Sequence, residues 1–168
     1  MHATRESETP VMKNPTTVER QSDLEIVVTR SFDAPARLVF QAWTNAELLK
    51  RWWMPKSLGI AFLSCEADVR VGGGYRFVFE HEGKPMAFFG RYLEVTPHSR
   101  LVWTNDESGE NGAVTTLTFE EKDGKTLLVM VERFRTKEAR DAGFASGAYD
   151  GMAETFGQLD DVLGLLSP

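Results

Sequence analysis

The sequence predicts an α+β domain: a curved antiparallel sheet of about six or seven strands around one long C-terminal helix, with two short helices after the first strand. Three observations carry that reading. Strand-like segments bounded by turn residues fill residues 62–134. Apolar residues recur at helical spacing from Tyr149 to Leu166. Two short stretches between the first strand and this run carry helix-start signals.

The elements follow in order. Residues 1–22 are polar, contain Pro10 and Pro15, and lack periodicity. Such a segment buries too little apolar surface to offset the entropy of ordering, so a flexible arm is expected there. A single domain is expected over residues 23–168. Leu24, Ile26 and Val28 alternate with Glu25, Val27 and Thr29, as in a half-buried strand. Ala34-Pro35 ends that strand and opens a helix, with the cap expected at Asp33 or Ala34. Leu38, Val39, Ala42 and Trp43 then repeat at helical spacing. Thr44, with Glu47 three residues on, resembles a capping box for a second short helix that Pro55 stops.

Strands are expected at residues 62–69, 75–81, 86–96, 100–105, 113–122 and 125–134. Gly72-Gly73-Gly74 breaks the first from the second. Asp123-Gly124 is a strong hairpin signal between the last two. Tyr149, Met152, Ala153, Phe156, Leu159, Leu163 and Leu166 form the apolar stripe of the final helix, with Asp150, Glu154, Asp160 and Asp161 on its wet side.

Composition narrows the function. The chain has 168 residues, enough for one ordinary domain. Its net charge of -6 disfavours nucleic acid and anionic membrane surfaces. No apolar run is long enough to span a bilayer, and no signal-peptide pattern opens the chain, so cytoplasm is the default expectation. The one cysteine, Cys65, excludes an internal disulfide and a thiolate metal cluster. The histidines His2, His81 and His98 lack ligand spacing, so no metal and no cofactor are expected. Gly72-Gly73-Gly74 lacks the Lys-Ser/Thr of a phosphate-binding loop, and no GxSxG elbow is present.

Several phrases carry a resemblance: Ala34-Pro35 before Val39-Phe40-Gln41-Ala42-Trp43-Thr44, then Arg51-Trp52-Trp53-Met54-Pro55, then Val71-Gly72-Gly73-Gly74-Tyr75-Arg76-Phe77. Gly90, Glu94 and Arg100-Leu101-Val102-Trp103-Thr104 follow. Over residues 24–166 this pattern resembles the START-like SRPBCC superfamily. Within it, the pattern is similar to the group homologous to the C-terminal domain of the activator of the heat-shock-protein-90 ATPase. The resemblance implies a helix-grip fold with a cavity between sheet and C-terminal helix, and no common catalytic residue. It also implies that Gly commonly stands where this chain has Met54. The resemblance extends to the C-terminal domain of the chaperone activators alone, so a co-chaperone role is not the leading expectation.

Candidate site residues are those expected to face such a cavity. On the strands these are Tyr75, Phe77, Phe79 and His81, then Met130 and Glu132, each set sharing one face by alternation. Trp43 and Trp53 belong where the short helices meet the sheet. Tyr149, Met152 and Phe156 belong to the final helix. Glu132 and His81 are the polar members, and Arg30 is a candidate counter-ion for the carboxylate. The leading functional expectation is binding of a small apolar molecule, as a carrier or sensor. A protein-interaction module with Trp52 and Trp53 as an exposed patch is one alternative. A cyclase- or hydrolase-like enzyme using a cavity carboxylate is the other, although no catalytic constellation stands out. Monomer and homodimer are both compatible with the sequence.

Overall fold

The computed structural model describes residues 14–166, apart from the side chains of residues 110 and 111. Eight strands form one antiparallel sheet: β1 Thr17–Arg20, β2 Glu25–Phe32, β3 Ala61–Ala67, β4 Gly74–His81, β5 Lys84–Thr96, β6 Arg100–Thr104, β7 Val114–Lys122 and β8 Lys125–Arg133. The spatial order is β1-β2-β8-β7-β6-β5-β4-β3. Four α-helices complete the fold, α1 Ala36–Thr44, α2 Ala46–Trp52, α3 Lys137–Ala145 and α4 Met152–Leu165, with short 3-10 turns at Lys56–Leu58 and Asp106–Asn111. This is the helix-grip architecture, with α4 crossing the concave face of the sheet.

Alternation decides which side of each strand is buried. Ile26, Val28, Arg30 and Phe32 point into the core from β2, and Leu128 and Met130 do so from β8. The β7–β8 turn is the expected hairpin: Asp123 and Gly124 have φ of 55° and 77°, the pair of left-handed residues that a two-residue hairpin requires.

The curl has a local cause in β5. Its first half pairs with β4 and its second half with β6, with a register shift between Tyr92 and Glu94. Gly90 sits at the change of partner. A Cβ there would lie 2.0 Å from the Thr104 carbonyl oxygen, so only glycine permits this approach.

Several expectations are corrected. The expected arm over 1–22 includes β1, whose residues Thr17–Arg20 pair with Thr29–Ile26 of β2. Residues 1–13 lie outside the described residues. The cap of α1 is Pro35 rather than Asp33 or Ala34, and the Glu121 carboxylate accepts from the Ala36 N–H at 2.9 Å. The cap of α2 is Asn45, whose Oδ1 accepts from the N–H groups of Glu47 and Leu48. Thr44 instead donates to the Phe40 carbonyl at 2.8 Å. The expected helix from Tyr149 starts at Met152, so Tyr149 lies in the turn before it. Ala153, expected on the apolar stripe, is exposed. Helix α3 was not expected. Thr136 caps it by accepting from the Ala139 N–H at 3.0 Å, and Arg140 anchors it on the Ser22 carbonyl. Among the described residues, no helix is long and apolar enough to cross a membrane.

Candidate functional site

Helix α4 stands away from the middle of the sheet and leaves a cavity of about 780 Å³. Its walls come from α1 and α2, the loop after them, the inner faces of β4, β5, β6 and β8, and the start of α4. The tryptophans set its shape. Trp43 and Trp52 lie 4.7 Å apart, Trp52 and Trp53 5.5 Å, and Trp53 and Phe77 5.4 Å, all edge-to-face or nearly so. Trp103 leans on Trp43 from β6 at 5.9 Å. Trp52 is wholly buried, and its Nε1–H donates to the Ala42 carbonyl at 3.0 Å.

The loop after α2 closes one end. Gln158 of α4 holds it, with Oε1 accepting from the Lys56 N–H at 2.8 Å and Nε2 donating to the Trp52 and Met54 carbonyls at 2.9 Å each. Glu154 adds a second clasp, accepting from the N–H and hydroxyl of Ser57 at 2.9 and 2.6 Å. These bonds hold the Glu154 carboxyl below its ordinary pKa. Met54 within this loop has φ of 74°. That left-handed backbone suits glycine, which explains the residue expected there from the resemblance.

The polar end is built around Glu132. The Tyr149 hydroxyl donates to Oε1, and the Thr115 hydroxyl donates to Oε2 at 3.3 Å. Asn105 supports Thr115 by donating to its Oγ1 at 2.9 Å and to the Ala113 carbonyl at 2.8 Å. The Tyr75 hydroxyl donates to the Thr104 carbonyl at 2.7 Å, with Asn105 Oδ1 beside it at 3.4 Å. Burial raises the Glu132 pKa, the bonds from Tyr149 and Thr115 oppose the rise, and the Glu107 charge adds to it. Burial, and then the neighbouring Glu132 carboxylate, also push the Tyr149 hydroxyl far up.

Of the residues singled out from the sequence, Trp43, Trp53, Tyr75, Phe77, Met130, Glu132, Tyr149, Met152 and Phe156 line the cavity. Phe79 does not. It is wholly buried against Phe62 and Phe88, at ring distances of 6.0 and 5.0 Å. His81 does not either, because it ends β4 opposite Lys84, beyond the sheet's curl. Arg30 is not the partner of Glu132: it pairs with Asp160 through bonds of 2.8 and 2.6 Å. Trp52 and Trp53 form no exposed patch, since Trp52 is buried and Trp53 is half-buried at the cavity. Sequence reasoning missed Thr115, Asn105 and Gln158. Thr115 could have been found by pairing it across from Glu132 in the β7–β8 hairpin. Among the described residues, no three His, Cys, Asp or Glu side chains could hold a metal ion together.

The fold has counterparts among solved structures. A protein of Rhodobacter sphaeroides superposes with a TM-score of 0.83 at 27% identity, covering 91% of this chain and 100% of that one. A protein of Nitrosomonas europaea gives 0.77 at 26% identity, covering 86% and 97%. One from Chromobacterium violaceum gives 0.69 at 28% identity, covering 84% and 98%. No curated protein matches the sequence. The family model described as Activator of Hsp90 ATPase homolog 1-like protein matches residues 33–164. With that match over most of its length, the chain belongs to the Activator of Hsp90 ATPase homolog 1-like family.

Proposed function

We propose that this chain binds a small, largely apolar molecule in the cavity between the sheet and α4, as a carrier or sensor. The observation that carries this reading is the cavity itself: about 780 Å³, walled by rings, with a few convergent polar groups at one end. That volume and lining are those of small-molecule sites in general. A protein-interaction role of the chaperone-activator type would need a surface other than the Trp52–Trp53 pair, which faces inward.

Native mass spectrometry of protein purified from its source tests the reading. A retained small molecule is expected, displaced by an apolar fluorescent probe that changes the tryptophan emission. Absence of both a retained mass and a probe response would overturn it.

A second reading is an acid–base enzyme, favoured by one observation: the Glu132 carboxyl, with its raised pKa, is bonded to Tyr149 inside the cavity. Turnover of a bound molecule that is lost in Glu132→Gln, with binding retained, would establish it.

A further inference from the structure

We propose that the cavity's ligand is a small organic amine, held as its ammonium ion between the Glu132 carboxylate and the surrounding aromatic rings; this rests on the ligand-binding reading above. The first ground is charge. The charged residues lining the cavity are Glu107, Glu132, Asp150 and Glu154, and among the described residues no Lys, Arg or His lines it. Among the described residues, Glu132 makes no ion pair, because the one cation on the same inner face, Arg30, is committed to Asp160 at 2.6 Å. A carboxylate enclosed in protein without a counter-ion needs either a proton or a cation from elsewhere.

The second ground is the hydrogen-bond inventory at the polar end. Tyr149 gives its hydroxyl hydrogen to Glu132, and Thr115 gives its own to the other carboxylate oxygen. Tyr75 gives its hydrogen to the Thr104 carbonyl. Both amide hydrogens of Asn105 are taken, by Thr115 and the Ala113 carbonyl. Each of these donors around Glu132 is thus occupied, while the carboxylate and hydroxyl oxygens keep lone pairs. Acceptors remain, so a partner must donate. The indole N–H groups of Trp43 and Trp53 are unpaired, and both are buried from solvent.

The third ground is the wall. Tryptophan and tyrosine faces around a carboxylate attract a cation through the ring quadrupole and admit the apolar remainder of an amine. An inorganic cation fits less well. Among the described residues, no three acidic, imidazole or thiol groups are placed to hold a metal ion together.

The test compares three probes of one shape at neutral pH: phenylbutylamine, phenylbutanol and phenylbutyrate. Tryptophan fluorescence and calorimetry read their binding to the full chain. The amine is expected to bind at least about tenfold tighter than the alcohol, as a charge-assisted bond to a buried carboxylate implies, with the carboxylate probe weakest. In Glu132→Gln the amine's advantage over the alcohol should fall to about twofold. Equal binding of amine and alcohol to the wild type would overturn the proposal and leave the apolar-ligand reading standing. Failure of all three probes to bind would overturn both. The wild-type ranking decides the matter without the variant, and circular dichroism reports whether the variant is folded.

Discussion

Glu132 shows how far one residue's role can be read from a chain. Its place on the inner face follows from alternation with Leu128 and Met130, so it was legible in the sequence. Its partners were not. Tyr149 reaches it from a turn that looked like helix, and Thr115 reaches it across a hairpin whose register only the structure fixes. His81 obeyed the same alternation and still missed the cavity, because β4 runs past the curl of the sheet. A pH effect follows for Glu132. Its folded pKa is raised, so its proton stabilises the folded state, fully below the unfolded carboxyl value of about 4.3 and less as pH climbs through the folded value. Urea unfolding of the wild type and Glu132→Gln across this range should show the wild type losing stability relative to the variant as pH rises. A difference that stays flat would mean the carboxylate is not desolvated. Cys65 makes a second case. Burial, the largest influence on it, pushes the thiol up to about 11, so little thiolate exists at pH near 8. Alkylation by iodoacetamide should run more than about tenfold slower than for a free cysteine. Rapid modification would show that β3 opens.

At the scale of elements, the strands and short helices were legible because burial imposes a period of two or 3.6 on their side chains. The loop between α2 and β3 has no period, and its conformation comes from Gln158 and Glu154, far along the chain. Met54 in this loop holds a backbone that costs a non-glycine residue roughly 1–2 kcal/mol. Met54→Gly relieves that cost and adds chain entropy to the unfolded state, so its stability should stay within about 1 kcal/mol of the wild type. Met54→Val keeps the conformation and adds a β-branch, so it should lose more than about 1 kcal/mol. Chemical denaturation distinguishes them. Equal stability of the two variants would mean the loop relaxes freely and does not hold the cavity's end.

At the scale of the whole molecule, the sheet is open, and its two edges are β1 and β3. An open edge invites pairing with another chain unless something short or charged covers it. On one side that cover is β1, four residues long and carrying Glu19 and Arg20. Polar composition made this segment read as an arm, since strand formation here comes from pairing rather than from its own pattern. Val18 packs on the core, and the Arg20 guanidinium lies 4.9 Å from the centre of the Phe144 ring, linking the edge to α3. Removing residues 1–21 would therefore uncover the long edge of β2. Loss of the four cross-strand pairs of β1 should cost about 1–3 kcal/mol, lowering the melting temperature by about 3–10 °C. Light scattering should show the shortened chain associating at concentrations where the full chain does not, because β2 then presents unpaired N–H and C=O groups along Glu25–Phe32. A truncated protein with unchanged melting temperature and no association would mean that β1 adds nothing to the sheet and that the domain's edge is β2 itself.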